Sequence, residues 1–431
     1  QSTAENQPVF WIMGGELTLT NCNGTGKVIH NSSRSGSGTG VKVELGGKFN
    51  LYGGTITNNT ADYGGGVLVG SGTTFNMYGG SITNNTADGD EGYGGGGVCV
   101  KGGTFNMHGG TIAANKATIY TGKGNGGGVS VVDGGRFTMN GGTIGGTKTG
   151  ETNTATYGGG GVYAKANFEM TGGSITGNNA YKSDYISTFG GGVCVGSGIF
   201  TVSGEVTVTD NTKGGTKGAD GKFTGDTKNN VYLPTGKTIT IGTDKLSEGA
   251  QLGVTVSGDY GDYPFTSGWN ANMSDKTPSD YFISDTDGYV AKLNGSELKM
   301  VTHVHNWTYT ASGDTITATC KNCSNNNGND FSGGSVTIQK PEKTKFNDGK
   351  DENAKVESVG WFGKAPSVAY AVKDGNALSA APVNAGTYTA GITLGNVTVS
   401  VTYIIDKATQ TAPTGLTTKG DMKNSGTGQI K

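Results

Sequence analysis

The sequence TFNMYGGSITNNTA at residues 74–87 returns as TFNMHGGTIAANKA at 104–117 and again, more loosely, as NFEMTGGSITGNNA at 167–180. Within each copy the apolar residues alternate with polar ones, as in Phe75-x-Met77, which is typical of a strand and not of a helix. A column of β-branched residues recurs in steps of 26 to 32 residues, at Ile56, Ile82, Ile112, Ile144, Ile175 and Val206. The repeat therefore predicts several short strands in each unit.

A single unit has only four or five inward apolar side chains, which are too few for a core of its own. Neighbouring units must therefore stack, with each strand pairing with its copy one turn away. We predict a right-handed parallel β-helix over residues 1–245, since parallel crossover connections are nearly always right-handed. Glycine runs separate the strands because the corners need backbone angles and close approaches that a side chain would obstruct.

Two further columns follow the same register. Asparagines fall at equivalent corners, where their amides can bond along the stack, at Asn59, Asn85, Asn115 and Asn178. By its offset from the preceding isoleucine, Thr147 is expected to interrupt this ladder. Aromatic residues precede the glycine runs at Tyr63, Tyr93, Tyr157 and Phe189, with Asn125 as an interruption.

Composition excludes several classes of function. The chain has 82 glycines in 431 residues and a formal net charge of -2, with no Lys/Arg-rich segment of the kind that binds nucleic acid. No stretch reaches the roughly 18 apolar residues of a membrane span, and residues 1–15 lack the pattern of a signal peptide. The regular period argues against disorder, although the glycine content alone would permit it.

The repeated GGGV and GxITxN sequences resemble the pectin-lyase-like β-helix superfamily, and most of all the glycine-rich repeats of modular surface proteins of Gram-positive gut bacteria. Three further segments are similar to modules of such proteins: NNVYLPTGKTITIG at 229–242, HVHNWTYTASGDTITATC at 303–320 and SAAPVNAGTYTAGITLGNVTVSVTYIIDKA at 379–408. The resemblance implies an extracellular protein attached to the cell surface through a region outside this chain. It also implies adhesion or glycan contact as the role.

The expected fold is all-β, with a parallel β-helix, a small junction resembling a zinc knuckle and a C-terminal immunoglobulin-like sandwich. Alternating strands separated by turns at 8 to 12 residue spacing support the sandwich. The predicted boundaries are 1–245 for the β-helix, 246–300 for a closing β segment, 301–330 for a His/Cys module, 331–408 for the sandwich and 409–431 for a linker to a further module.

The His/Cys module carries the clearest chemical motif, with His303-x-His305 followed by Cys320-x-x-Cys323. Two imidazoles and two thiolates suit tetrahedral Zn²⁺, so we predict a structural zinc site of these four residues. A disulfide between Cys320 and Cys323 and a redox-active pair are the alternatives. The distant Cys22, Cys99 and Cys194 are interpreted as small apolar residues.

Many proteins of the superfamily that the repeats resemble are polysaccharide lyases or hydrolases, so catalysis is an alternative function. A lyase needs clustered acidic calcium ligands with an Arg or Lys, and a hydrolase needs paired carboxylates. Neither pattern is visible in the sequence. Asp88, Asp90 and Glu91 form a possible calcium loop, although acidic residues in an exposed glycine-rich loop are commonly only solvated.

The sequence therefore favours a non-catalytic binding module, with a carbohydrate-active enzyme and a purely structural stalk as alternatives. Strand alternation places a polar and aromatic ladder on the outer wall of the early coils, formed by Asn50, Tyr52, Asn76, Tyr78, Asn106 and His108. Aromatic rings can stack on pyranose faces while amides bond to hydroxyls, so the predicted partner is a glycan or a host surface or secreted protein. The chain is expected to be a monomer.

Overall fold

A computed structural model of the protein describes residues 7–21, 26–30, 38–89, 92–118, 124–181, 188–218, 223–258, 261–302, 306–321, 333–346, 350–359 and 366–407. These residues form two compact units. The first contains the described chain up to Asn306, and the second contains Trp307–Lys321 and the described chain from Gly333 onward.

The first unit is a parallel β-solenoid, which confirms the stacked coils predicted from the repeat. Each coil contributes three main strands that pair in register with their copies above and below, so Phe75 pairs with Phe49 and Phe105, and Ile82 with Ile56 and Ile112. We refer to the three stacks of strands as the first, second and third columns.

The first column begins every coil, and its strands from Val67–Val69 to Val193–Val195 follow glycine runs. It consists of Phe10–Met13, Val41–Glu44, Val67–Val69, Val98–Lys101, Val129–Val132, Val162–Ala164, Val193–Val195 and Val231–Leu233. The second column consists of Glu16–Leu19, Lys48–Leu51, Thr74–Met77, Thr104–Met107, Arg136–Met139, the start of Asn167–Thr176, the start of Phe200–Thr209, Ile239–Leu246 and Thr266–Ser267.

The third column consists of Lys27–Val28, Thr55–Thr57, Ser81–Thr83, Thr111–Ala113, Thr143–Gly145 and the later parts of the two long strands. The sequence did not predict a fourth column of short strands, which follows the asparagine corner. It consists of Thr60–Ala61, Thr86–Ala87, Lys116–Ala117, Thr154–Ala155, Asn179–Ala180 and Thr212–Lys217, and the last of these pairs antiparallel with Phe223–Lys228.

The interior of the solenoid is a set of stacked side chains, one from each coil. The phenylalanine rings of the second column stack face to face with centroids 4.6 to 4.9 Å apart, in the order Phe49, Phe75, Phe105, Phe137, Phe168 and Phe200. All six are at most 1% exposed. The alternation read from the repeat therefore assigns the inner face correctly, since residues two apart in a strand share a face.

Glycine runs form the corner before the first column, where backbone from successive coils comes into close contact. Gly96 shows why a side chain is excluded, because an added Cβ would lie 2.5 Å from the carbonyl oxygen of Lys116. The adjacent amides hydrogen-bond from coil to coil, as in Gly66 N–H to the Gly96 oxygen at 3.2 Å. Close approach thus explains the glycine content that composition alone left open.

Parallel pairing continues beyond residue 245, the predicted end of the β-helix. Gln251–Val256 pairs with Val231–Leu233, and Phe282–Ser284 pairs with Gln251–Val256. The remaining elements of this end are the helix Trp269–Met273, the 3₁₀ turn Pro278–Asp280 and the antiparallel hairpin of Tyr289–Asn294 with Glu297–Thr302. Their buried Trp269, Met273 and Leu298 join the solenoid core, so this end of the stack is covered by apolar side chains.

The second unit contains two four-stranded antiparallel sheets around one core. One sheet is Trp307–Ser312, Thr315–Cys320, Gly333–Gln339 and Lys355–Val359, and the other is Ala377–Leu378, Ala369–Val372, Gly386–Leu394 and Val397–Ile405. Ile316, Val336 and Ile392 are at most 1% exposed and belong to the same core. Within the first of these sheets, Thr315–Cys320 pairs with Gly333–Gln339.

Candidate functional site

The predicted ligand ladder forms a stack of three rings on the outer wall of the second column. Tyr52 and Tyr78 stack with centroids 4.5 Å apart, and Tyr78 and His108 stack at 4.9 Å, with interplanar angles of 13° and 9°. Tyr52 is 53% exposed and Tyr78 is 42% exposed. The structure thus brings together all three predicted rings, on the surface and in register.

The asparagines two residues before these rings form a hydrogen-bonded ladder of their own. The Asn76 Nδ2 donates to Asn50 Oδ1 at 2.8 Å, and the Asn106 Nδ2 donates to Asn76 Oδ1 at 2.9 Å. At the lower end, the Asn50 Nδ2 donates to Glu16 Oε1 and to Thr18 Oγ1. Asn50 and Asn76 are only 4% and 7% exposed, because the neighbouring rungs cover them. Their amides therefore support the wall more than they face a ligand.

The ring stack also changes the way in which sugars could be held. We expected pyranoses to stack on ring faces, but the faces of these rings cover one another. The surface presents ring edges, two phenolic hydroxyls and an imidazole. Within the described ranges the stack ends at Tyr52 and His108, each of which keeps one face that no other ring covers.

A second asparagine ladder runs inside the wall, at the corner after the third column. Asn59, Asn85, Asn115 and Asn178 are at most 1% exposed, as expected for these corners. The expectation that Thr147 interrupts this ladder was wrong, because Asn153 occupies the corner instead. The Asn115 Nδ2 donates to Asn153 Oδ1 at 3.1 Å, and the Asn153 Nδ2 donates to Asn178 Oδ1 at 2.9 Å. An insertion before Asn153 displaces the corner along the sequence without breaking the stack.

Aromatic side chains near the glycine runs cover part of the first column's outer face. Tyr63 and Tyr93 meet edge to face with centroids 5.6 Å apart, and the Lys101 Nζ lies 4.0 Å from the Tyr93 centroid. They pack on Leu68 and Cys99. The predicted aromatic stack is therefore a small apolar layer at these coils.

Most of the predicted metal ligands lie outside the described residues. This is true of His303, His305 and Cys323 of the zinc site and of Asp90 and Glu91 of the calcium loop. Asp88 is described, and its backbone N–H donates to the Ala61 oxygen at 3.0 Å. In the described part of the chain, no three His, Cys, Asp or Glu side chains come together as a metal site.

Cys320 is the one described member of the predicted zinc site. It is 5% exposed and is disulfide-bonded in this structure. The other cysteines that the structure describes, Cys99 and Cys194, are free. A sulfur held in a disulfide is not a thiolate ligand, so the zinc prediction applies only to the reduced protein.

Cys99 and Cys194 occupy the outer side of the first column, and Cys99 packs beneath the aromatic layer. They are 0% and 4% exposed, in agreement with their interpretation as small apolar residues. Burial raises the pKa of both thiols to about 12. Neither thiol is therefore ionised near neutral pH.

The sequence contained a signal for the corner at Asn153 that offset counting missed. An Asn-x-Ala motif marks the corner in Asn59-Thr60-Ala61 and Asn85-Thr86-Ala87, and it recurs in Asn153-Thr154-Ala155. By contrast, nothing in the sequence indicated the surface pocket beside Trp11, which is formed by segments from different coils.

Comparison of the chain with protein-family models, with curated proteins and with solved structures found no match in any of the three. None of the described helices is both long enough and apolar enough to cross a membrane.

Proposed function

We propose that this chain is a non-catalytic extracellular binding module whose solenoid wall contacts a glycan or a host glycoprotein. The observation that carries the proposal is the exposed stack of Tyr52, Tyr78 and His108. Exposed aromatic rings on a polar surface are characteristic of binding sites, since rings provide contact area at low entropic cost.

Rigidity is the second reason for favouring this surface. Each ring is fixed by stacking on its neighbour, and the asparagines two residues before the rings are hydrogen-bonded from coil to coil. A surface that is already ordered loses little conformational entropy when a ligand binds. The wall is therefore suited to an extended partner that contacts several coils at once.

The chemistry of the stack suits hydroxyl-rich ligands. Phenolic hydroxyls donate and accept hydrogen bonds, as the imidazole also can through its two nitrogens. Successive rungs repeat at about 4.8 Å, the spacing of neighbouring strands. A polymer lying along the column would bond to the ring edges and stack only on the free faces of Tyr52 and His108.

The later coils differ at the equivalent positions, which makes the feature local. The residues that follow His108 along the same column are Asn140, Thr171 and Ser203. On the same outer wall, Arg136 and Glu169 form an exposed ion pair at 2.7 Å. A purely structural stalk would have no need for rings at three coils only. The stalk remains the second candidate, because the buried asparagine ladder stabilises the stack without any ligand.

A glycan array tests the proposal and addresses the enzyme alternative in the same sample. Full-length protein and a variant with Tyr52, Tyr78 and His108 all changed to Ser are applied to the array, and the bound glycans are checked for cleavage. The proposal expects native binding that the triple variant loses, with no released sugar. No binding by either protein would favour the stalk, binding that a folded triple variant keeps unchanged would place the site elsewhere on the chain, and cleavage would favour the enzyme.

A further inference from the structure

A surface pocket lies at the outer side of the first column, away from the ring stack on the second column. It has a volume of about 550 Å³. Its walls include Trp11, Thr39, Lys42, Asp62, Tyr63 and Leu68. This volume falls in the range of roughly 300–1,000 Å³ that encloses small ligands.

One wall is built by the strand register. Trp11 pairs with Lys42, and Lys42 pairs with Leu68, so the three side chains follow one another on the outer face of successive coils. Trp11 is 47% exposed, and its Nε1 donates to Glu44 Oε2 at 2.8 Å. The Lys42 Nζ lies 4.8 Å from the centroid of the Trp11 ring. The indole is thus held in place while almost half of its surface stays open.

The other wall follows the short strand Thr60–Ala61 of the fourth column. Asp62 is exposed, and the half-buried Tyr63 comes next in the chain. The Thr39 Oγ1 donates to the Tyr63 backbone oxygen at 3.5 Å, and the Lys101 Nζ lies 4.9 Å from the centroid of the Tyr63 ring. An indole from one coil and a phenol and a carboxylate from another therefore line the same pocket.

These groups match the two kinds of surface on a sugar ring. Trp11, Tyr63 and Leu68 offer apolar contact for the C–H faces of a pyranose, and the Asp62 carboxylate accepts hydrogen bonds from its hydroxyls. The charge of the pocket disfavours an acidic sugar. Lys42, the lysine in the pocket lining, forms an ion pair with Glu44 at 3.1 Å, which leaves the Asp62 carboxylate to repel an anion.

We propose that this pocket binds a single neutral pyranose, free or at the end of a glycan chain. The inference shares its ligand class with the proposed function but rests on different residues. The ring stack would contact the repeating part of a polymer, whereas the pocket would hold one sugar unit.

Saturation-transfer NMR on the full chain tests the pocket directly. The probes are methyl glycosides of glucose, galactose, mannose and N-acetylglucosamine, with glucuronic acid and N-acetylneuraminic acid as charged comparisons. Oligosaccharides that carry the bound sugar either at the end or only internally then distinguish a free sugar from a glycan terminus. The variants are Trp11→Ala and Asp62→Asn, and the control is the triple serine variant of Tyr52, Tyr78 and His108.

We expect transfer to at least one neutral glycoside, with an affinity that falls about tenfold or more in Trp11→Ala. Asp62→Asn replaces the carboxylate by a neutral amide of similar size. A weaker affinity of this variant would support the hydrogen bonds between Asp62 and the sugar hydroxyls. The triple variant should bind the glycoside as the native chain does, even if it loses a polymer. The absence of transfer to every neutral glycoside would overturn the inference, as would binding that neither pocket variant weakens or tighter binding of the acidic sugars.

Discussion

The carboxylate of Asp285 accepts two hydrogen bonds from Asn230, one from the backbone N–H and one from Nδ2, each at 2.6 Å. Asn230 is the last amide of the buried ladder, since its Oδ1 accepts from the Asn211 Nδ2 at 3.0 Å. Every amide in the ladder donates towards the following coil. The ladder therefore ends with N–H groups, and the half-buried carboxyl group of Asp285 accepts hydrogen bonds from them.

Asp285→Asn should destabilise the protein, because an amide presents an NH₂ group where one Asn230 donor needs an acceptor. Leaving a buried donor unsatisfied costs about 1–3 kcal/mol. Urea unfolding of the native chain and the variant measures the difference. Equal unfolding midpoints would show that Asp285 does not terminate the ladder.

The difference in stability between the native chain and Asp285→Asn should also depend on pH. Burial is the main cause that raises the pKa of Asp285 above its ordinary value of 3.8, while hydrogen bonds from Asn230 and Thr255 act in the opposite direction. The folded protein thus keeps the proton at pH values where the unfolded chain has lost it. This contribution to stability is complete below pH 3.8 and is lost as pH rises through the folded pKa. The native chain's advantage over Asp285→Asn should therefore shrink as pH rises from 3.8 towards neutral.

Asn115→Ala tests the middle of the buried ladder. Asn115 is 0% exposed, its Oδ1 accepts from the Asn85 backbone N–H and Nδ2, and its Nδ2 donates to the Ile82 oxygen. Removal of the amide leaves its partners in both neighbouring coils without these hydrogen bonds. We therefore expect a loss of roughly 3 kcal/mol in the free energy of unfolding. Asn140→Ala is the matched control, since Asn140 is exposed and should change stability by less than about 0.5 kcal/mol. Similar effects of the two substitutions in thermal or urea unfolding would contradict the structural role of the ladder.

The two free thiols of the first column should be unreactive in the folded protein. Burial raises the pKa of Cys99 and Cys194 to about 12, and only a thiolate reacts readily with alkylating reagents. Peptide mapping after iodoacetamide treatment at pH 8 should find both unmodified, and both modified after denaturation. Rapid labelling of either cysteine in the native protein would mean that the aromatic layer opens at that coil.

The state of Cys320 decides the zinc prediction. Because Cys320 is disulfide-bonded in this structure, oxidised protein should contain no zinc at this site. After reduction, the prediction from the His/Cys spacing is about one zinc per chain, lost in Cys323→Ser and retained in Cys99→Ser. Elemental analysis before and after reduction, with non-reducing peptide mapping, measures both states. Zinc content that is the same in the reduced native protein and in Cys323→Ser would rule out the site.

The repeat made the solenoid predictable because residues two apart in a strand share a face, so Phe75 and Met77 reveal the inner side. It could not reveal that Asn50 and Asn76 would be covered, since their burial depends on the neighbouring rungs. Counting three residues on from Ile144 selects Thr147, because this count assumes coils of equal length. An inserted loop moves the corner to Asn153. The pocket beside Trp11 joins residues that are far apart in the sequence, and no local pattern marks it.

The central claim is that the stack of Tyr52, Tyr78 and His108 is a binding surface. Its most direct measurement is the affinity of the best array glycan for three folded proteins: the native chain, the triple serine variant of the stack, and a control in which Asn140 and Thr171 are changed to Ser. We predict that the triple variant binds about tenfold or more weakly and that the control binds as the native chain does. Equal affinity for all three proteins would contradict the account.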